Sequence, residues 1–298
     1  MIFEPIWTVF FVLFAGYMAK VLKIMKAEDN KYLLDFVIYF ALPSLIFSSI
    51  YYLDFKLNLV VITLLGGFST LFAGYIASLV GKFLNFSQKT RASMFIMAGF
   101  GNTLFVGIPV ITGVLGDEYL GKIIIYDAFT GGSLISLVAP FVLKQNESFK
   151  KTLKNVFTFP PLLALFLALV CKLITIPEFM FKPLNLLGSA TISVALFSMG
   201  LKLSFDAIKN SYKPTAIVLF CKMILSPAIL VLLLQIFAIQ MDGDALVGIF
   251  QASMPPMVVA AALVIRAGYD SDLATSSVAF GLLGCLITVP FLSYILLS

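Results

Sequence analysis

Apolar residues run along this chain in long blocks, and the polar residues are confined to short joints between them. A helix crossing the ~30 Å hydrocarbon core of a bilayer needs roughly 20 apolar residues. By that ruler the pattern predicts ten spans, at 3–22, 32–52, 59–81, 92–115, 120–143, 156–176, 183–203, 213–238, 245–266 and 273–297. The joints read KIMKAEDNK, LDFKLN, LNFSQKTR, LGDEY, KQNESFKKTLKN, IPEFMFKP, SFDAIKNSYKP, QMDGD and AGYDSD, rich in turn formers and charge. The expected fold is an all-α polytopic membrane protein.

Two spans break the pattern. The fourth contains GFGNTLFVGIPVITGVLG at 99–116, with five glycines and a proline, and the ninth contains ASMPPMVVAA at 252–261. Proline has no N–H and clashes with the carbonyl four residues back, and glycine weakens a helix further. Backbone groups freed in hydrocarbon cost several kcal/mol each, so they are tolerated only against protein or beside water. Paired breaks at Gly101, Gly107 and Pro109 and at Pro255 and Pro256 therefore predict a polar site at mid-depth. Asn102, Thr103, Gln251 and Ser253 offer it uncharged hydrogen bonds, with Met254 in the same stretch. Helix starts near Pro109 and Pro256 would aim positive dipole ends at the site, which favours an anionic ligand.

The longest joint divides the chain into two sets of five spans, 1–143 and 156–298, with 144–155 as linker. GVLGDEYL at the end of the fourth span resembles IRAGYDSDL at the end of the ninth, and SLVAPFVL in the fifth resembles ITVPFLSYIL in the tenth. An odd number of spans per half means that the second half starts from the opposite side. The expectation is an inverted-topology repeat, the plan of many secondary transporters. Antiparallel halves let the two breaks cross.

Composition sharpens this picture. The 298 residues are 61% hydrophobic and 12% charged, with a mean hydropathy of +1.06; soluble domains carry about 25% charged residues. Fifteen of the 20 Lys and Arg fall at odd-numbered joints, among them Lys20, Lys89, Lys150 and Lys151. Four, Lys56, Lys122, Lys172 and Lys182, fall at even-numbered joints, and Lys222 lies within a span. The positive-inside rule then places odd joints in the cytoplasm and both termini outside a cell membrane. The net charge of +5 reads as this orientation signal and not as a nucleic-acid footprint. The first apolar run, with no basic segment before it, reads as a retained span.

The chain has no His and three Cys far apart, so metal-ligand spacings and Ser–His or Cys–His pairs are excluded, and neither an enzyme nor a cofactor is expected. Two charges sit well inside spans, Asp127 in IIIYDAFTGG and Lys222 in LFCKMILSP. Intramembrane charges are costly and face the bundle interior. Both are candidates for substrate attraction or for coupling to H+ or Na+.

At these residues the sequence resembles the auxin efflux carrier family of the bile acid/auxin transporter superfamily, which includes the plant PIN auxin exporters and many prokaryotic members. NTLFVGIP at 102–109 is similar to that family's fourth-helix motif, ASMPPMVVAAALVIRAGYDSDLATSSVAFGLLGCLITVPFL at 252–292 to its ninth and tenth helices, and GYMAKVL with YFALPSLIF to its first and second. The resemblance implies an NhaA-like fold with helices 4 and 9 crossing, in which helices 1, 2, 6 and 7 form a scaffold and helices 3–5 and 8–10 a transport core. It also implies elevator-type export of a small organic anion such as a carboxylate or auxin-like compound, and a homodimer in the bilayer. Under it Asn102 binds substrate, Pro109 and Pro255 set the crossing, and Ser44 lies on the scaffold side. A cation/proton antiporter of the same fold is the alternative; such proteins use adjacent core carboxylates, where this chain offers Asp127 alone.

Overall fold

A computed structural model describes residues 3–54, 56–144, 154, 157–203 and 207–297. Most of the expected linker 144–155, with Lys150 and Lys151, lies outside the described residues, as do 204–206 in the seventh joint. Regular structure among the described residues is helical, apart from one isolated β-bridge.

Helix α1 spans Phe3–Val21, and α2 spans Asn30–Phe36 and continues through a π turn, Val37–Ala41, into α3, Leu42–Tyr52. Then come α4 at Leu57–Phe83, α5 at Gln88–Gly99, α6 at Gly107–Leu115, α7 at Leu120–Thr130 and α8 at Gly132–Val142. In the second half α9 is Pro160–Cys171, α10 Phe181–Lys202, and α11, Ile208–Phe220, runs through a π turn at Cys221–Leu225 into α12, Ser226–Ile236. Helices α13 at Gly243–Ala252, α14 at Val258–Arg266 and α15 at Ser271–Leu297 complete the order.

Seven helical stretches among the described residues are long and apolar enough to cross a membrane: Glu4–Val21, Ala27–Tyr52, Leu57–Phe83, Asp117–Val142, Glu178–Lys202, Ile208–Ile236 and Ser271–Leu297. The chain is a polytopic membrane protein. The three remaining expected spans coincide with the broken pair α5–α6, the shorter apolar α9 and the broken pair α13–α14. Two features depart from the hydropathy pattern. The stretch Asp117–Val142, the fifth expected span, breaks at Gly131, whose backbone (φ −92°, ψ −107°) leaves the helical region. Each π turn ends just before a proline at the second position of the next helix, Pro43 in α3 and Pro227 in α12. A ring that clashes with the carbonyl four residues back accounts for the widened turn.

Side chains sort by size as much as by polarity. Trp7, Phe11, Phe14, Leu64, Phe68 and Tyr294 are exposed, whereas Ser69, Thr70, Ser93, Ser276 and Ser277 are buried. This is the membrane rule: large apolar groups face lipid, and small residues let helices approach. The limit is reached between α1 and α10, where a Cβ on Gly16 would lie 2.1 Å from the Phe197 carbonyl and one on Gly200 2.1 Å from that of Leu13.

Helices α1, α2, α3, α9 and α10 pack on one another, and α4, α5, α7, α11, α12, α13, α14 and α15 form a second group. Contacts between the α1–α10 pair and the α9–α3 pair match. Lys20 at the end of α1 donates to the Leu203 carbonyl just past α10, and Lys172 just past α9 donates to the Leu53 carbonyl just past α3. In the second group Asp244 at the start of α13, 4% exposed, forms a salt bridge with Lys122 near the start of α7.

Candidate functional site

The segments between α5 and α6 and between α13 and α14 unwind and cross. Phe100 (φ −131°, ψ 118°) and Met257 (φ −73°, ψ 132°) are extended, and Gly101 and Pro256 form an antiparallel bridge. The Asn102 N–H donates to the Pro255 carbonyl at 2.7 Å, and the Met257 N–H to the Phe100 carbonyl at 3.0 Å. Proline suits this geometry because its missing donor is not needed on the bridge. The crossing therefore satisfies in pairs the backbone groups that the breaks set free.

Helix α6 begins at Gly107, ahead of Pro109, so Pro109 sits inside the first turn of α6, where no N–H is required. Gly107 is set by packing: a Cβ there would lie 2.5 Å from Gln251 Oε1. Met254 is fully buried against the same glycine. Gly281 on α15 has a similar role for the second break, since its Cβ would meet the Pro256 ring at 2.6 Å.

Beside the crossing lies a cleft of about 770 Å³, its opening included. One wall is Asn102, Leu104, Asp127, Ser133, Met257 and Val258; the facing wall comes from the first helix group, with Ile38, Leu42, Ile46, Phe159 and Leu165. The starts of α8 and α14, at Gly132 and Val258, border the cleft. A helix start leaves its first N–H groups without intrahelical acceptors and carries a partial positive charge. The cleft is thus apolar over most of its wall, with its polar groups gathered at one side.

Asn102 lies in the cleft and is 3% exposed; its Nδ2 donates to Met199 Sδ on α10 at 3.2 Å, across the two helix groups. Asp127 shares the cleft and accepts from Thr103 Oγ1 at 2.5 Å. Gly131, one helical turn on, leaves room for that carboxylate: a Cβ would lie 2.4 Å from Asp127 Oδ1. Thr103 itself borders a second, smaller chamber of about 190 Å³, its opening included, that is also lined by Gly101, Gln251 and Lys222.

Other expected residues lie apart from the cleft. Lys222, 1% exposed, donates to the Ala252 carbonyl at 2.5 Å. Gln251 Nε2 donates to the Ile123 carbonyl at 3.2 Å. Ser253 Oγ turns back to the Phe250 carbonyl at 2.7 Å, and Ser44 Oγ to the Phe40 carbonyl at 2.8 Å, so both hydroxyls are engaged within their own helices. Residues that pattern reading did not reach include Met199, Thr70 and Tyr126. A methionine in an apolar helix gives no signal, but Tyr126 stands next to Asp127 and opposite Gly66, where a Cβ would lie 2.2 Å from its hydroxyl.

The sequence profile of the membrane transport protein family matches residues 1–148 and 144–293, nearly the whole chain. The chain belongs to the membrane transport protein family, that of the auxin efflux carriers. Relatives within it include an uncharacterized transporter of Methanocaldococcus jannaschii, 31% identical with 99% of each chain covered. Another, of Methanothermobacter thermautotrophicus, is 28% identical with 98% of each chain covered. The uncharacterized transporter YfdV of Escherichia coli is 25% identical over 87% of this chain and 86% of its own. The membrane transport protein family is one of transporters, not enzymes.

Proposed function

We propose that this protein is a secondary transporter of small organic anions, carboxylates or auxin-like compounds, which it exports by an elevator motion. The observation that carries the reading is the cleft, where Asn102 and the start of α14 meet a largely apolar wall between two helix groups. A carboxylate fits the Asn102 amide and the positive helix end, and an apolar body fits Ile38, Leu42 and Leu165. Under this reading the chain crosses the membrane ten times as two inverted repeats, 1–143 and 156–298, joined by 144–155. Matched interactions support the repeat: Lys20 to Leu203 with Lys172 to Leu53, and Asn102 to Pro255 with Met257 to Phe100. Helices 1, 2, 6 and 7 are the scaffold and the rest the transport core. Both termini lie outside the cell membrane, and a homodimer forms through the scaffold.

Counterflow in proteoliposomes tests this directly. Unlabelled carboxylate inside should drive uptake of its labelled form, and Asn102→Ala should raise the half-saturating concentration about ten- to hundredfold. A buried hydrogen bond to a charged group is worth about 1.5–3 kcal/mol. Absence of counterflow with every carboxylate and auxin-like compound offered would end the reading.

A second reading, cation/proton antiport, draws on the Asp127 carboxylate in the same cleft. The two separate at Asp127→Asn. Anion counterflow should survive that substitution, because exchange of one anion for another needs no net proton movement. Cation antiport, which would load its ion on that carboxylate, should be abolished.

A further inference from the structure

Helices α5 and α13 both end at the crossing, at Gly99 and Ala252. A helix end leaves its last carbonyls without intrahelical donors and carries a partial negative charge, which favours cations. In broken-helix transporters such ends, with unwound carbonyls, are where coupling cations are held. Here side chains reach both ends from corresponding places. Thr70 on α4 donates its hydroxyl to the Gly99 carbonyl at 3.1 Å. Lys222, on the π turn before α12, donates to the Ala252 carbonyl at 2.5 Å. One end meets a hydroxyl and the other the amine of a lysine.

Lys222 reaches this place through a built passage. The π turn sets its side chain inward at 1% exposure, and the facing position is glycine. A Cβ on Gly101 would lie 2.7 Å from Lys222 Cε and 3.0 Å from Nζ. The ammonium borders the chamber of about 190 Å³ together with Thr103, Tyr126 and Gln251. Among the described residues the Tyr126 hydroxyl and Gln251 Oε1 have no hydrogen-bond partner, although both residues are at most 1% exposed. The chamber is therefore rich in oxygen acceptors. Among the described residues no carboxylate lines it; Asp127 lies toward the cleft and takes the Thr103 hydroxyl as its donor. Oxygens without a carboxylate, at a negative helix end, suit a single monovalent cation better than a divalent one.

We propose that the Lys222 ammonium is the tethered occupant of a monovalent-cation site at the end of α13. The chain supplies its own cation, so the site takes no alkali ion during the cycle. Removing the side chain opens the site to Na+, Li+ or a small ammonium ion. The corollary that transport needs no sodium gradient rests on the transporter reading above; occupancy of the site does not.

The test is thermal unfolding of purified protein in detergent at constant ionic strength, with NaCl, LiCl or methylammonium chloride replacing choline chloride. The wild type should show the same melting temperature in all four salts. Lys222→Ala should melt lower in choline. It should recover saturably in at least one of the other three, by roughly 5 °C at a hundredfold excess over the dissociation constant. Lys222→Thr, which copies the hydroxyl at Thr70, serves the same purpose if the alanine variant does not fold. A saturable alkali-ion response in the wild type would overturn the proposal. So would indifference of the folded variant to all three cations, because a merely structural lysine leaves no ion-selective site behind. Counterflow is not part of this readout, so loss of the transport reading and loss of the cation site remain distinguishable.

Discussion

At the scale of single residues, the lysines of this chain repeatedly close the carbonyl ends of other helices. Lys20 meets Leu203, Lys89 meets Gly268 at 2.8 Å, Lys172 meets Leu53 at 2.7 Å and Tyr51 at 2.9 Å, and Lys222 meets Ala252 at 2.5 Å. Helix C-termini present unpaired carbonyls and partial negative charge, and near a membrane water is not always at hand to satisfy them. Lys172→Met should therefore destabilise the folded protein by about 1–2 kcal/mol, since it strips a donor from three carbonyls at once, those of Ile50, Tyr51 and Leu53. Thermal unfolding in detergent, at unchanged cation sensitivity, measures it. In the sequence Lys20, Lys89 and Lys172 read as orientation charges at span ends, and Lys222 as a charge inside a span. Their partners, up to 183 residues away, leave no trace in local pattern. The same holds for Asn102: its place at a break was legible from the flanking Gly101 and Gly107, but its contact with Met199 joins elements that only the packing brings together.

At the scale of elements, what can be read in advance is whatever proline and charge announce. The two unwound stretches were signalled by Pro109 and by Pro255 with Pro256, and the inward charges by Asp127 and Lys222. The break at Gly131 was not, because a glycine pair within an apolar run also fits a close-packed helix. What the packing does show is why the residue there is glycine: the carboxylate of Asp127 occupies the space that a Cβ at Gly131 would need. The π turns ahead of Pro43 and Pro227 were likewise hidden, since hydropathy does not register one extra residue per turn. Two predictions belong here. Replacing both Pro255 and Pro256 with Ala restores two donors and lets α13 run on into α14. That dissolves the pairing with Phe100 and Asn102, and counterflow should fall at least tenfold in protein that still inserts and purifies, by roughly the worth of one buried hydrogen bond or more. Wild-type rates would mean that the crossing persists without them. Gly200→Leu should force α1 and α10 apart, because even a Cβ there would stand 2.1 Å from the Leu13 carbonyl. The expected result is loss of folded protein, read by size-exclusion chromatography, with Gly16→Leu behaving alike.

At the scale of the whole molecule, the two helix groups meet at the cleft, and Asn102 to Met199 is a side-chain hydrogen bond from the crossing to the first group. Under the proposed elevator reading, the second group slides along this interface of apolar walls and few directional bonds. The direction of that movement across a cell membrane depends on orientation, and orientation rests on where the basic residues fall. Asn85, exposed in the joint after α4, belongs to the odd set; Leu173, 86% exposed just past α9, belongs to the even set. Native Cys171 is only half-buried beside Leu173, so the measurement needs a background with Cys171, Cys221 and Cys285 replaced by Ser or Ala. In intact cells a membrane-impermeant maleimide should label Leu173→Cys and spare Asn85→Cys, and permeabilised cells should label both. If Asn85→Cys is labelled from outside, the chain is inserted the other way round. The carbonyl ends closed by Lys20 and Lys89 would then face out, and the proposed exporter would have to be reconsidered as an importer of the same anions. Lys20, which meets Leu203, falls in the odd set, and its match Lys172, which meets Leu53, in the even set. This matched pair therefore adds nothing to the excess of fifteen basic residues over four. It resides in the surplus at the odd joints, which is where the positive-inside rule acts.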